Sequence, residues 1–411
     1  MRLTGGKKRA NVTLSTFEYD RRSIVDCVKS GDFDFIGVAI TPWHARMAVA
    51  SYLQLRSSRL IDSGILLIDR HNKDGYLIPP EAVVPSLNVA YLRRGDDGLS
   101  SMVQALICRT VLPSLQARKR DGRLVYIANP SFPGSIFDSL DVLMLDCRFS
   151  YILLDEGVGS YLSSAEDWAR QSIRDRGLRG PSAILRNWLF NYEQRELPKS
   201  IQSLKDKGRF AKFYLFEDDG SLNRNNVVFA RNSFDLNSNC IDSQNHLINK
   251  KYEGAIVFCS QFPLVETGSI SLNSHYRAID AAYQVSKRLG VPFVLKTHPR
   301  ERDFTLYDRY NSYIDSRHGV ALEDILGDLD APPLCIASLC STAMIVASAV
   351  FNFCGVGLSK LMPEDGISAS FVLSCERLNA LFGGYYKSPS SVDEFCSYLK
   401  EHNNNHLDLY E

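Results

Sequence analysis

The chain has 411 residues, of which 45% are hydrophobic and 23% charged, as in an ordinary globular protein with more than one domain. Lys and Arg together number 47, as do Asp and Glu, so the overall charge indicates neither a nucleic-acid partner nor an acidic one. The ten cysteines form no Cys-x-x-Cys pair, which favours buried thiols in a reducing cytosol over a disulfide framework or a zinc site. With no run of about 18 apolar residues and no apolar signal core near Met1, the sequence predicts a cytoplasmic protein.

Strands and helices are predicted to alternate through the first half of the chain. The first helix is expected over 43–55, with Thr41 as its N-cap and Pro42 in the first helical position. A second amphipathic helix is expected over 102–115, and alternation of this kind is typical of a doubly wound parallel sheet. The predicted strands of this half are 35–40, 64–69, 87–92, 124–128, 151–154 and 213–216.

A second set of elements follows 218–246, a segment rich in Asn, Asp and Ser that we interpret as a linker. Its main helix, 275–289, is expected to end at Gly290. Its strands are predicted at 255–260, 293–295, 334–337 and 350–354, and its last helices near 375–382 and 392–401. We therefore predict an α/β protein with a first domain over 1–245 (linker 218–245), a second over 246–390, and a C-terminal helix and tail over 391–411. We expect two successive Rossmann-like halves that face each other across a cleft. This is the GT-B layout of glycosyltransferases, although many binding proteins share it.

Asp155 and Glu156 directly follow a predicted buried strand, and Gly157 and Gly159 come after them. The carboxyl end of such a strand borders the ligand crevice of an open α/β sheet. A carboxylate there can take a proton from a hydroxyl, and the glycines let a substrate approach the backbone. A solvated turn explains the same residues. The segment Glu217-Asp218-Asp219-Gly220 repeats the acid-acid-Gly pattern, but it lacks the Gly-x-Gly and precedes the predicted linker.

Two further polar groups follow predicted strands of the second half. His298 is held near the strand edge by Pro299, with Lys296 beside it, and an imidazole in such a basic setting suits a departing phosphate. Ser341 and Thr342 open a helix, where hydroxyls and free N–H groups can hold a phosphate without a metal. A basic surface turn and a simple helix N-cap remain the structural alternatives.

Several other polar residues of the second half are weaker candidates for the site. Ser260 and Gln261 follow the first strand of the second half, where a polar loop can hold a nucleoside. Ser338 lies in the loop that leads to the predicted phosphate-binding helix. Glu323 could accept hydrogen bonds from ribose hydroxyls, although a solvated helix start explains it equally well.

Together these stretches resemble the bacterial GT-B sialyltransferases, above all the capsule polysialyltransferases and the related lipooligosaccharide sialyltransferases. That family carries an acid-acid-Gly motif in its first domain, a His-Pro motif in its second, and a later pair of Ser or Thr residues. Here the motifs occur in the same order as Asp155-Glu156-Gly157, His298-Pro299 and Ser341-Thr342. The segment Thr41-Pro42-Trp43 is similar to the family's opening loop, which together with Gly159 would lie on the acceptor side.

The resemblance implies an inverting transferase that moves sialic acid, or a related nonulosonic acid, from a CMP-sugar to a glycan hydroxyl in bacterial capsule or lipooligosaccharide synthesis. Asp155 would be the base, with Glu156 as the alternative, and His298 the acid on the departing phosphate that Ser341 and Thr342 bind. No Asp-x-Asp metal motif lies in a convincing loop, so we expect that the chemistry needs no divalent metal and no other cofactor. The resemblance implies an anionic or lipid-linked glycan acceptor, and a lipid-linked one would bring the protein to the inner face of the cytoplasmic membrane. The other donor-side residues would be Gly157, Lys296, Pro299, Ser260, Gln261, Glu323 and Ser338.

Other functions fit the same fold. The donor could be a UDP-hexose or CMP-Kdo, the protein could be a nucleotide-sugar epimerase, or it could bind nucleotides or glycans without catalysis. An NTPase is excluded because the chain has no Gly-x-x-x-x-Gly-Lys-Ser/Thr loop. A dehydrogenase is disfavoured because no Gly-x-Gly-x-x-Gly follows the first strand.

Overall fold

The structure is a computed structural model, and it divides the chain into two compact units. The first comprises Met1–Lys73 and Ile78–Leu236, and the second Asp74–Leu77 and Asn237–Glu411. The residues that the structure describes are 18–19, 27–28, 30–39, 42–69, 84–92, 124–130, 148–155, 206–214, 227–229, 247–298, 301, 304–310, 312–317, 320 and 322–407.

The first unit is built on one sheet that has eight strands over the described residues, and all neighbouring strands are parallel. The strands are β1 Glu18–Tyr19, β2 Phe35–Ala39, β3 Gly64–Asp69, β4 Leu87–Leu92, β5 Leu124–Asn129, β6 Arg148–Leu154, β7 Phe210–Tyr214 and β8 Val227–Phe229. Their order across the sheet is β1-β4-β3-β2-β5-β6-β7-β8. The order therefore reverses between β2 and β5, which is where an open α/β sheet binds ligands.

The predicted first helix is confirmed as α1, Pro42–Ser57, with Pro42 in its first position. Every residue of β2 is buried, as expected of a parallel strand covered on both faces. Helix α1 packs on this strand, where the rings of Phe35 and Tyr52 meet edge to face with their centroids 5.4 Å apart. This packing holds α1 against β2.

Two sequence predictions near the end of this unit need correction. The strand expected at 213–216 is β7, Phe210–Tyr214, because its pairing with β6 joins Tyr151 to Phe210 and Leu154 to Phe213. Within the segment predicted as a linker, Val227–Phe229 forms β8 and extends the sheet beside β7. The short apolar run that contains Val227–Phe229 gives too little pattern to reveal a strand, which exists here because β7 provides a partner.

The second unit has a six-stranded sheet over the described residues, again with parallel neighbours throughout. Its strands are β9 Ile256–Cys259, β10 Phe293–Lys296, β11 Tyr313–Asp315, β12 Cys335–Ser338, β13 Gly355–Gly357 and β14 Tyr386–Lys387. The order is β11-β10-β9-β12-β13-β14, so the reversal falls between β9 and β12. Both units are thus parallel α/β units, as the alternation of elements predicted.

The helices of the second unit are α2 Pro263–Glu266, α3 Leu272–Leu289, α4 Leu322–Leu326, α5 Thr342–Ala349, α6 Ala369–Phe382 and α7 Val392–Leu407. The predicted end of α3 is confirmed, since Gly290 has the left-handed φ of 68° that glycine accepts readily. The helix begins three residues earlier than predicted because Ser271 caps it, accepting from the N–H of Ser274. Phe395 and Leu399 of α7 are buried in the core of this unit. None of the helices in the described part is long and apolar enough to span a bilayer.

The strand predicted at 350–354 is wrong. Helix α5 runs to Ala349, and the chain then turns through Asn352, whose φ of 57° is left-handed. The strand that follows is β13, the Gly-Val-Gly segment from Gly355. A Cβ on Gly355 would lie 2.5 Å from Ser348 Oγ, so a larger residue would force a shift where α5 approaches the sheet. The apolar residues before it belong to the helix end and the turn.

Candidate active site

The carboxyl ends of β2, β5 and β6 are neighbours in the first sheet. Trp43 lies in the first turn of α1 after β2, Asn129 is the last residue of β5, and Asp155 follows β6. The register pairs Asn129 with Leu153, two residues before Asp155, and both polar residues are fully buried. The sheet thus gathers three residues that are far apart in the sequence, and Asn129 was not predicted as part of this edge.

Two hydrogen bonds fix the backbone of Asp155. Its N–H donates to the carbonyl oxygen of Phe213 at 3.0 Å, and its own carbonyl oxygen accepts from Trp43 Nε1 at 2.9 Å. Trp43, predicted on the acceptor side, therefore lies against the end of β6. Because both contacts involve the main chain, they determine where the Asp155 side chain begins and limit how far its carboxylate can reach.

Several predicted residues fall outside the described part of the chain: Thr41, Glu156, Gly157, Gly159 and Pro299. The competing acid-acid-Gly segment, 217–220, lies outside it as well. Their roles stay predictions.

In the second unit, the predicted residues Gln261 and Ser338 meet where β9 and β12 end, at the reversal of strand order. Gln261 Oε1 accepts from the N–H of Cys340 at 2.6 Å and from Ser338 Oγ at 3.0 Å, while Gln261 Nε2 donates to the carbonyl oxygen of Cys340. One side-chain amide therefore pairs both main-chain groups of Cys340. This contact joins the two strand ends and fixes the course of the chain into α5.

Ser341 and Thr342 lie directly after that contact. Ser341 is the N-cap of α5, with an extended backbone (φ −122°, ψ 139°) and an Oγ that accepts from the N–H of Ala343 at 3.2 Å. Thr342 is the first helical residue. A helix start presents backbone N–H groups and the positive end of the helix dipole, and the Ser341 hydroxyl still has a hydrogen to donate. The arrangement can bind a phosphate as well as cap the helix.

His298 follows β10, which neighbours β9 on the other side of the reversal. Its N–H donates to Glu301 Oε2 at 2.6 Å, and the N–H of Glu301 donates back to the His298 carbonyl oxygen at 2.9 Å. Glu301 was not among the predicted site residues. A glutamate three residues after the position whose N–H it accepts is the spacing of a capping box, and this spacing could have indicated it.

A buried set of hydrogen bonds continues from Glu301. Tyr307 donates its hydroxyl hydrogen to Glu301 Oε1, and the Tyr307 oxygen lies 3.2 Å from His275 Nε2 and 3.4 Å from Ser260 Oγ. All four side chains are buried. Burial lowers the pKa of His275 to about 4, so its ring is neutral near pH 7. Burial also raises the pKa of Glu301, while the hydrogen bonds from Tyr307 and the His298 N–H act to lower it.

Lys296, predicted to bind the donor, belongs to a buried ionic network where β10 and β11 end. Its Nζ donates to the carbonyl oxygen of Arg317 at 2.7 Å and lies 3.7 Å from Asp315 Oδ1. Asp315 is also 2.6 Å from the Arg317 guanidinium and accepts from Tyr252 at 2.6 Å. Burial lowers the pKa of Lys296. For Asp315 burial acts to raise the pKa, but Arg317 and Lys296 hold it at about 2.

Glu323 is buried in α4, with 6% of its surface exposed, so it is not a solvated helix start. It lies close enough to Cys259, the last residue of β9, that its charge adds to the effect of burial in raising the pKa of that thiol to about 12. Glu323 therefore also lies near the end of β9. Among the residues that the structure describes, no group of three or more His, Cys, Asp or Glu side chains could hold a metal ion.

A family model described as alpha-2,8-polysialyltransferase matches residues 111–358, more than half of the chain. The chain belongs to the alpha-2,8-polysialyltransferase family. Membership makes it a glycosyltransferase of the sialyltransferase class, and the match includes Asp155, His298, Ser341 and Thr342. No curated protein sequence matches the chain.

Solved structures of low sequence identity are also similar to this alpha-2,8-polysialyltransferase family member. An α/β-galactoside α-2,3-sialyltransferase from Photobacterium phosphoreum has 13% identity and a TM-score of 0.46, over 86% of this chain and 97% of that one. A sialyltransferase from Photobacterium damsela has 13% identity and a TM-score of 0.42, over 86% and 81%. A UDP-GlcNAc 2-epimerase from Methanocaldococcus jannaschii has 10% identity and a TM-score of 0.42, over 89% and 91%. Each of the two units is an α/β unit with a parallel sheet.

Proposed function

We propose that this protein transfers sialic acid, or a related nonulosonic acid, from a CMP-sugar to a hydroxyl group of a glycan. One observation carries the proposal: the polysialyltransferase family model extends from before β5 to the end of β13, across the strand ends of both units that carry the candidate residues. The name of the family further suggests that the acceptor is itself a sialic acid chain, extended through α-2,8 linkages. Such a polymer would belong to a bacterial surface polysaccharide or lipooligosaccharide.

In the proposed reaction the acceptor hydroxyl oxygen forms a bond to the anomeric carbon of the donor sugar. The bond from that carbon to the phosphate oxygen breaks, and CMP leaves with the bonding electrons. Asp155 takes the hydroxyl proton, and His298 donates a hydrogen bond or proton to the departing phosphate. One displacement at one carbon inverts its configuration. The proposed base belongs to the first unit and the proposed acid to the second.

The donor phosphate would bind at the start of α5. The Ser341 hydroxyl, the N–H groups of the first helical turn and the helix dipole all favour an anion there, which supports a mechanism without a metal. Gln261 would fix this helix start through Cys340 rather than touch the base. Glu323, near the end of β9, is our candidate for the residue that accepts hydrogen bonds from the ribose hydroxyls of the donor.

The direct test supplies the purified protein with CMP-sialic acid and either α-2,8-linked oligosialic acid or a galactose-terminated glycan. We expect release of CMP and elongation of the oligosialic acid, and loss of both in His298→Ala. Parallel reactions with UDP-hexoses and CMP-Kdo test the other donors. Release of UDP would contradict the choice of donor, and tight CMP binding without turnover on any acceptor would instead indicate a non-catalytic binding protein.

The base is tested by Asp155→Asn and Glu156→Gln, which remove one proton acceptor each with little change in size. We expect Asp155→Asn to lower kcat by roughly 100- to 10,000-fold, the contribution of a general base, without weakening CMP binding. Glu156→Gln serves as the matched control. If Glu156→Gln causes the larger loss, the base is Glu156.

A further inference from the structure

Two reciprocal hydrogen bonds join His298, which follows β10, to Glu301. His298 donates its N–H to the Glu301 carboxylate at 2.6 Å, and Glu301 donates its N–H to the His298 carbonyl oxygen at 2.9 Å. A hydrogen bond to an ionised acceptor is about twice as strong as a neutral one. The backbone of His298 is therefore fixed at both its polar groups, and its imidazole projects from a position that Glu301 defines.

The carboxylate of Glu301 is itself held from a second side. Tyr307 donates to Oε1, so the His298 N–H and the Tyr307 hydroxyl occupy different oxygens. Because Tyr307 uses its hydrogen there, its oxygen can accept from His275 Nε2, 3.2 Å away. For His275 to donate this hydrogen bond, its ring must carry a hydrogen on Nε2. Burial keeps the ring neutral by lowering its pKa, and a neutral ring can adopt this tautomer.

This buried arrangement reduces stability more than a simple local hydrogen bond between His298 and Glu301 would. Glu301 is 3% exposed and His275 is fully buried, with no hydrogen-bond partner for its Nδ1. Burying a carboxylate and an unpaired ring nitrogen both reduce stability, and a solvated Asp or Ser could close a turn without either cost. The network also joins separate elements, because His275 lies in α3, Ser260 follows β9, and Tyr307 ends the turn Thr305–Tyr307.

We infer that Glu301 is a positioning residue for His298, and that Tyr307 and His275 hold the Glu301 carboxylate in place. The inference rests on the proposed function of His298 as the group that assists the departing phosphate. Glu301 acts only through the backbone of His298. A displacement of about 1 Å in a reacting group can cost roughly 100-fold in rate, which is the effect expected when this support is lost.

The test uses three variants of the full chain with CMP-sialic acid and oligosialic acid. Glu301→Ala should lower kcat roughly 100-fold and change KM for the donor by no more than about 3-fold. Glu301→Gln should stay within about 5-fold of wild type, since its oxygen can accept from His298 and its amide can donate to Tyr307. Tyr307→Phe should lower kcat by about 5- to 10-fold, because it removes one donor to the Glu301 carboxylate while the His298 N–H and the Ser260 hydroxyl remain.

Glu266→Ala is the matched control. Glu266 ends α2, is exposed, and lies close enough for its charge to act on Glu301. It should leave kcat and KM at wild-type values. A purely structural role for Glu301 predicts a different pattern, in which Glu301→Ala lowers the unfolding temperature and CMP affinity together and the active fraction keeps its kcat. That pattern, or a wild-type kcat in folded Glu301→Ala, would overturn the inference.

A second readout needs no turnover. The chain has eight histidines, so selective ¹⁵N-histidine labelling gives few amide signals, and His298→Ala identifies the one from His298. Glu301→Ala should shift that signal and accelerate its hydrogen exchange, whereas Glu301→Gln should retain both. If wild type transfers no sialic acid but this shift occurs, the proposed function fails and the support of His298 by Glu301 stands. If wild type is active and the signal stays unchanged in Glu301→Ala, the inference fails and the function stands. If Glu301→Ala does not fold, Glu301→Gln and Tyr307→Phe decide the outcome.

Discussion

The indole Nε1 of Trp43 donates a hydrogen bond to the main-chain oxygen of Asp155 at 2.9 Å, which joins the first turn of α1 to the end of β6. The two residues are separated by 112 positions in the sequence. Parallel strands bring their carboxyl ends to one edge of the sheet, so a residue after β2 can fix one after β6. The contact connects the predicted acceptor loop to the predicted base.

Trp43→Phe tests this connection. The variant keeps an aromatic ring but removes the indole N–H, so the carbonyl oxygen of Asp155 loses a partner. One net hydrogen bond is worth about 1 kcal/mol, so we expect kcat to fall by roughly 3- to 10-fold at an unchanged affinity for CMP. Turnover and calorimetric CMP binding measure the two effects. An unchanged kcat would show that the Trp43 contact does not matter for the reaction.

Gln261 holds the main chain of Cys340, which directly precedes the proposed phosphate site. Gln261→Ala leaves both main-chain groups of Cys340 without their partner, and an unpaired buried group costs about 1–3 kcal/mol. We expect the dissociation constant for CMP to rise by roughly 10- to 100-fold, measured by calorimetry. Gln284→Ala, which removes an exposed glutamine from α3, is the matched control and should bind CMP as wild type does. Equal affinities in the two variants would contradict this role.

Ser341 could act as a helix cap or as a phosphate ligand, and two substitutions separate these roles. Ser341→Asp keeps an acceptor for the Ala343 N–H but adds a negative charge, whereas Ser341→Ala removes the cap at a cost of about 1 kcal/mol. We expect Ser341→Asp to unfold like wild type while losing CMP binding. Ser368→Ala removes the cap of α6 and should lower stability alone. CMP binding by Ser341→Asp at wild-type affinity would leave only the capping role.

The buried ring of His275 predicts a pH dependence of stability. Its pKa in the folded protein is about 4, below the ordinary 6.5. Between these values the unfolded chain binds a proton that the folded protein does not, so the free energy of unfolding falls as the pH drops from about 6.5 towards 4. The shift corresponds to about 3 kcal/mol. Burial raises the pKa of Glu301, which acts in the opposite direction but is common to wild type and variant.

Urea unfolding of wild type and His275→Gln at pH 7 and pH 4.5 measures this effect. The glutamine can still donate to Tyr307 but does not titrate. We expect wild type to lose about 2–3 kcal/mol more than the variant on acidification. Equal losses in the two proteins would mean that His275 does not carry the pH dependence.

The sequence predicted those parts of the fold that depend on local chemistry. The end of α3 followed from Gly290, because only a residue that tolerates positive φ can end the helix in that way. The start of α1 followed from Pro42, and most strands followed from short apolar runs. The strand predicted at 350–354 was wrong because the same apolar residues also suit a buried helix end, and periodicity does not separate the two over five residues.

For the site, the sequence by itself provided the residue types, their order and the family they resemble, since each motif lies within a few consecutive positions. Only the tertiary structure decided what those residues contact. Gln261 pairs with Cys340, and Trp43 pairs with Asp155. Glu301, Tyr307 and His275 form a buried set of hydrogen bonds. These contacts join elements that are distant along the chain. Such contacts depend on which strands become neighbours and in which register. The order of the strands is determined by how the whole sheet becomes buried, so no short segment of the sequence predicts it.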